Sequence, residues 1–291
     1  MMAKKYFVSK DQMGFTFDPA HPPALRVVAP CTITFETDDV GYRRLAQGES
    51  LEAIGPDNLN IVTGPVFFEG AEPGDALKIE VVGISIKSVW TVWIPKFGAL
   101  GKQTTDWQIR NIPIENGYAV INPNLQVKLE PMIGCIGLAP VEGNSSTVNP
   151  VFPWGGNMDL RELSPGATIY LPVQVSGGLL SVGDLHAAMG SAEPTWVSLE
   201  SAGEATLRIS IEKGCMLRSP RLRIGNDTMI LGMGKTLPEA IQMACEQAYE
   251  YLIQQGLKPF DAYAYASARV GLRLAGPAGY NVLAVIPDLE R

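Results

Sequence analysis

The chain has 291 residues and a formal net charge of -7, with 46% hydrophobic and 18% charged residues. This balance excludes a disordered or fibrous protein, and the acidic charge argues against a nucleic-acid partner, which needs a basic face. No stretch approaches the ~20 apolar residues of a membrane helix, so no membrane partner is expected. Met1 to Tyr6 lacks an apolar run of signal-peptide length, and Cys31, Cys135, Cys215 and Cys245 show no CxxC spacing. Reduced, buried thiols and a cytoplasmic location are predicted.

Taken in order, the chain is a series of short apolar runs separated by Gly and Pro, which predicts many short strands joined by turns. Pro-Gly pairs precede strands at Glu72-Pro73-Gly74 and Ser164-Pro165-Gly166. They suit the central positions of a type II turn, because Pro fixes φ and Gly tolerates positive φ. Ala76 to Ile86 alternates at Leu77, Ile79 and Val81, then slips phase to Val82, Ile84 and Ile86. That slip, at Gly83, predicts a long strand with a bulge. Trp90 to Trp107 is irregular and aromatic, and reads as a satellite aromatic cluster or a loop covering a site. Tyr118 to Ile121 and Gln126 to Leu129 read as a hairpin, and Ala205 to Glu212 as a half-exposed antiparallel strand.

The pattern changes near Leu231. Thr236-Leu237-Pro238-Glu239 has an N-cap Thr, a Pro in the first turn and a Glu at N3. Helical spacing then runs to Gly256. A second helix is expected from about Pro259 to Leu274, and a strand from Asn281 to Pro287. The fold class expected is mainly β with an α+β C-terminal part. A β-sandwich or barrel-like region over residues 1–230 would carry most of the site and pack on a strand-helix-helix-strand unit over 231–291.

Three stretches have the residue types that chemistry needs. In Asp184-Leu185-His186 a strand would point both polar side chains to one face, a reasonable start for a metal site; a local His-carboxylate pair is the structural alternative. In Gly155-Gly156-Asn157-Met158-Asp159 the glycines would let backbone approach a ligand while Asn157 and Asp159 project together, although these residues also make an ordinary turn. Glu193, taken alone, is a surface charge. The only histidines are His21 and His186, and His21 sits in a Pro-rich loop, so any metal site must be one histidine plus carboxylates. Such a site can still activate water. There is no G-x-S-x-G elbow, and Cys135 is flanked by apolar residues and reads as inert.

Thr63 to Asp75, Pro131 to Pro140, Gly155 to Asp159, Gly178 to Glu193 and Asp261-Ala262-Tyr263 together resemble the acetamidase/formamidase family, with the Gly-Asp-x-His-Ala segment the specific part. The resemblance covers about Ala24 to Pro287. It implies hydrolysis of a short linear amide to carboxylate and ammonia by a cytosolic β-rich homodimer or higher homo-oligomer using a divalent metal, zinc. Carried over residue by residue, it implies Asp184 and His186 as metal ligands, with Asp159 and Asp39 as further ones, and Glu193 as general base. Asn157 would assist catalysis, and the backbone of Gly155 and Gly156 would bind the substrate oxyanion. The chain departs from the family pattern at Gly190-Ser191-Ala192-Glu193, which bears on loop geometry and substrate range. Two alternatives stay open: a non-catalytic ligand-binding β-sandwich with a structural metal such as calcium, and a hydrolase of cyclic amides.

Overall fold

The computed structural model describes residues 4–149, 152–276 and 280–290. Two nine-stranded sheets and two C-terminal helices make up most of it. The first sheet runs, in spatial order, through Lys4–Val8, Cys31–Glu36, Gly203–Glu212, Ala76–Ile86, Thr168–Pro172, Arg221–Ile224, Asp227–Gly234, Tyr280–Pro287 and Gly271–Ala275. All of its pairings are antiparallel except that of Lys4–Val8 with Cys31–Glu36. Alternation decides which faces meet. Ile33, Phe35, Leu77, Ile79, Val81, Leu207 and Ile209 point inward and pack against Val66, Phe68, Ile133, Ile136, Leu180, Val182 and Leu185 of the second sheet in one buried cluster. The protein is therefore mainly β, with the core between its sheets.

Local expectations can be compared element by element. Thr206 pairs with Gly83 while Leu207 pairs with Val81, so Val82 is the extra residue of the bulge. Both Pro-Gly turns close with the fourth residue's N–H on the first residue's carbonyl, Asp75 to Glu72 and Ala167 to Ser164, and Gly74 and Gly166 take positive φ. The hairpin Tyr118–Asn122 with Leu125–Lys128 forms a small separate sheet with Ile114–Glu115.

At the C-terminal end, Thr236 caps the helix Leu237–Gln254 in a full capping box with Glu239. Ala240, Ala244, Ala248 and Leu252, four residues apart, share one face and pack on Ile230, Val282, Ala284 and Ile286. The second helix is shorter than the sequence predicts. It spans Pro259–Arg269, Val270 is extended, and Gly271–Ala275 forms an edge strand on Tyr280–Pro287. Strand pairing overrides the helical spacing there. The expected boundary at 230/231 falls inside the strand Asp227–Gly234, which the first sheet carries straight across.

Candidate active site

The site lies where one central strand changes neighbours. Leu180–Ala188 pairs along one edge with Met132–Gly137. Along its other edge, Leu180 to Gly183 pairs with Val62–Phe68, whereas Leu185 to Ala188 pairs with Leu199–Ser201. Asp184 sits at the fork. Its N–H donates to the Ile61 carbonyl at 3.1 Å, and its φ is +51°. A β-strand residue other than glycine in the left-handed region is strained and held there by its surroundings. The separation of the two neighbouring strands opens a cavity of about 440 Å³ beside Asp184.

Five ionisable side chains meet on the floor of this cavity. His186 Nε2 lies 3.4 Å from Glu200 Oε2, 3.5 Å from Asp184 Oδ2 and 3.8 Å from Asp159 Oδ1. Glu200 is the direct cross-strand partner of His186, which places both side chains on the same face. Asp159 comes from the turn after the strand Gly155–Asn157, and Glu193 from the turn after His186; their φ values are +43° and +40°. One potential ligand atom from each of Asp159, His186 and Glu193 lies within 4.8 Å of the others, and the same holds for Asp184, His186 and Glu200. All five side chains are buried.

Neighbouring groups fix this floor. Ser198 holds both glutamates, donating its hydroxyl to Glu193 Oε1 at 2.6 Å and its N–H to Glu200 Oε1 at 2.7 Å. Asn60 Nδ2 donates to Asn157 Oδ1 at 3.2 Å and to Asp184 Oδ2 at 3.3 Å. Gly134 lies opposite Asp184, and its carbonyl accepts the N–H groups of Met158 and Asp159. A Cβ on Gly134 would sit 2.7 Å from Asp184 Oδ2 and 2.8 Å from Asp159 Oδ1. Only glycine leaves both carboxylates room.

Protonation follows from this crowding. Burial pushes Asp159 and Asp184 above the ordinary aspartate value, with the neighbouring acids adding to it and His186 opposing it. Burial also raises Glu193, against the pull of His186, to about 7. Burial would raise Glu200 as well, but His186, the Ser198 N–H and Tyr42 outweigh it and hold that carboxyl low. Burial would lower the His186 pKa, yet Glu200 and Asp184 keep it well above its usual value. Four buried acids thus share one imidazole, and two of the floor's polar atoms, Asp159 Oδ1 and His186 Nδ1, have no hydrogen-bond partner. Orphaned buried atoms call for a ligand or ion, and a set of one nitrogen with several carboxylate oxygens could hold a divalent cation.

The residues singled out in the sequence fall into two groups. Asp184, His186, Asp159, Glu193 and Asn157 all line the cavity. Asp39 does not. Its carboxylate is taken by Arg43, by the Ser88 hydroxyl at 2.6 Å and by the Trp90 indole N–H at 2.6 Å. Gly155 and Gly156 are buried in a strand against Ile136 and Gly137, outside the cavity lining, and the Gly155 N–H is already given to Phe152. That amide is consumed by the bridge to Phe152 and has no free direction toward an oxyanion. His21 meets Thr16 at 3.3 Å, away from the floor. Cys135 is fully buried, and burial raises its pKa well above normal, so it stays a thiol. Of the 90–107 segment, Val92, Ile94 and Phe97 line the cavity, whereas Trp90, Trp93 and Trp107 do not; Trp196 does and Trp154 does not.

Sequence reasoning missed Glu200, Ser198, Asn60 and Gly134. Glu200 follows an unremarkable Val-Ser-Leu, and only strand pairing sets it against His186.

A model of the acetamidase/formamidase family matches residues 141–278. A formamidase from Methylophilus methylotrophus is 40% identical over 60 residues, 20% of this chain, and the chain matches only 15% of that relative's length. The solved structure of a predicted acetamidase/formamidase from Thermoanaerobacter tengcongensis superposes with a TM-score of 0.91 at 28% identity, over 98% of this chain and 96% of the other. An acetamidase from Bacillus halodurans gives a TM-score of 0.87 at 30% identity, covering 97% of each chain. Likeness sustained over the whole of both sheets, with the clustered Asp-x-His floor at their fork, places this chain in the acetamidase/formamidase family.

Proposed function

We propose that this protein hydrolyses the C–N bond of a linear primary amide, R–CO–NH₂ + H₂O giving R–COO⁻ and NH₄⁺, at the floor built around His186. The observation that carries this reading is the convergence of four buried carboxylates on one buried imidazole, with two polar atoms left unpartnered. The family's named members, an acetamidase and formamidases, support the bond and the substrate class.

Asp184, His186 and Glu200 would hold a divalent cation, zinc, with the unpartnered Asp159 Oδ1 facing the same imidazole. When bound, such a cation supplies Lewis-acid polarisation of the amide and acidifies water. Glu193 is the general base. Its buried carboxyl, held through Oε1 by Ser198, would accept a proton from attacking water and return it to the departing nitrogen. Ser198 fixes its Oε1, so the other oxygen addresses the substrate. Asn157 accepts Asn60's N–H through Oδ1, which aims its own amide N–H₂ toward the substrate oxygen. That donor takes the role first assigned to the backbone of Gly155 and Gly156. An imidazole at the centre disfavours a structural calcium, which takes oxygen ligands.

Ammonia release from acetamide and formamide, measured on purified protein before chelation, after it and after zinc is restored, tests the reading. Loss and recovery of turnover are expected; full turnover in a chelated, metal-free preparation refutes the metal-assisted mechanism. No helix among the described residues is long and apolar enough to cross a membrane. A cytoplasmic homo-oligomer is the accompanying expectation, checked by light scattering and fractionation.

A further inference from the structure

The cavity is far larger than the amides that name the family. It encloses about 440 Å³, whereas acetamide displaces two to three waters' worth of space, roughly 60–90 Å³. Its chemistry is also divided. Among the described residues every charged group of the lining belongs to the floor, and Asn60 and Asn157 stand beside it. The wall above is apolar, with Leu51, Leu59, Val92, Ile94, Phe97 and Trp196 among its members, and the Tyr42 hydroxyl reaches down to Glu200.

The wall is built rather than loose. Phe97 and Trp196 meet edge to face, with ring centroids 5.3 Å apart. The loop carrying Phe97 is pressed on the backbone of Thr195, so close that Gly98 has no room for a Cβ. Trp196 has φ +60°, a costly conformation for a bulky residue. Its N–H donates to the Glu193 carbonyl at 2.9 Å, so one short turn carries both the base and this wall residue. Both rings stay well exposed, Phe97 at 39% and Trp196 at 48%. Two solvent-facing aromatics over an apolar cavity, one of them on a strained backbone, are a surface prepared for an apolar occupant.

We propose that the preferred substrate is a primary amide whose acyl group is an apolar chain or ring of roughly six to ten carbons, sized from the space left above the floor. This rests on the amide-hydrolase reading above and names its substrate class. The amide would sit on the floor between Asn157 and Glu193, and the acyl chain would lie against Val92, Ile94, Phe97 and Trp196. Contact with the wall fixes the carbonyl carbon over the floor, so binding of the remote chain helps the reacting end.

The experiment is a chain-length series on the zinc-loaded protein. Ammonia release is measured for acetamide, butyramide, hexanamide, octanamide and phenylacetamide, and formate release for N-butylformamide and N-hexylformamide. We expect kcat/KM to climb about fourfold per methylene, a gain of roughly 250-fold over the four methylenes from acetamide to hexanamide. We also expect Ile94→Trp, which fills the wall, to lower the hexanamide-to-acetamide ratio at least about tenfold. A series that is flat or falls beyond acetamide overturns the proposal and leaves the amide-hydrolase reading standing. A climb confined to the N-alkylformamides also overturns it, because the wall then holds the amine side. No release from any amide, acetamide and formamide included, overturns both.

Discussion

Gly134→Ala isolates the geometry of the floor. Gly134 has an ordinary negative-φ backbone, so alanine can adopt its conformation without backbone strain. The added methyl would instead meet two carboxylate oxygens, Asp184 Oδ2 at 2.7 Å and Asp159 Oδ1 at 2.8 Å, along with the Asp184 carbonyl at 2.7 Å. Ordinary van der Waals contact begins at 3.4 Å, so each oxygen must retreat by roughly 0.6–0.7 Å if the methyl stays in place. Overpacking of this kind costs about 1–3 kcal/mol of stability. The fold should survive it, since the strand keeps its hydrogen bonds.

The effect on chemistry should be larger than that on folding. Misplacing reacting groups by about an ångström costs on the order of 100-fold in rate, and disturbing ligand orientation weakens metal binding about 10–100-fold. The assay pairs kcat/KM for acetamide and hexanamide with zinc affinity by competitive chelation, and uses thermal unfolding to show that the variant is folded. A folded Gly134→Ala enzyme within about threefold of the parent in both activity and zinc affinity would refute the view that this strand forms the floor.

The remaining predictions address separate parts of the structure. Glu200→Gln removes the acid held against His186 and should lower zinc affinity and activity each about 10–100-fold; undiminished zinc binding in competition assays would show that Glu200 is not a ligand. Asp39→Ala should leave metal content unchanged by elemental analysis while destabilising the chain by about 2–4 kcal/mol, because Ser88 and Trp90 lose their shared acceptor. Metal loss would return Asp39 to the site. Chelated, metal-free protein should lose stability as pH rises from 4.5 to about 7, the ordinary and folded values for Glu193. In that window the folded chain binds a proton that the unfolded chain has released, worth about 3 kcal/mol. Denaturant melts at pH 5 and 8 check it, and zinc-loaded protein should not show the trend. Asp75, in contrast, is buried but held below its usual value by Lys213 and the N–H groups of Gly214 and Glu72. Its contribution should be present above its unfolded value, near 3.8, and lost as pH falls through the folded one. Asp75→Asn should cost about 1.5–3 kcal/mol at pH 7 and flatten that acid limb of the melting profile.

The sequence made legible whatever depends on local rules. The capping box at Thr236, the bulge beside Gly83 and the two Pro-Gly turns are each written in a few adjacent residues. The limits appear where a distant strand decides. Ala262, Ala266, Val270 and Leu274 keep a four-residue spacing that suits one helix, yet pairing with Tyr280–Pro287 makes Gly271–Ala275 an edge strand. The site divides in the same way. Asp184 and His186 are two residues apart on one strand and were found together, whereas Glu200 reaches His186 only through cross-strand register. Gly134 has no signal of its own; its role comes from a missing Cβ beside two carboxylates that arrive from other segments. Asp39 misled for the complementary reason. An aspartate after a strand looks like a ligand until its partners, Arg43, Ser88 and Trp90, are known.

One architectural event accounts for most of the site. Where Leu180–Ala188 exchanges one neighbour for another, Asp184 is forced into a left-handed conformation, and the parted strands leave the cavity. Asp159 and Glu193 are held left-handed beside it. Strain at three acids, together with the cost of burying four carboxylates around one imidazole, makes this floor by itself an energetically poor arrangement for folding. A divalent cation bound there would offset much of that cost. The same strain and crowding that weaken the metal-free fold therefore hold the floor acids within reach of a reacting amide. Stability and catalysis would then be linked through one bound ion, so the zinc dependence of melting and of turnover should share a single affinity.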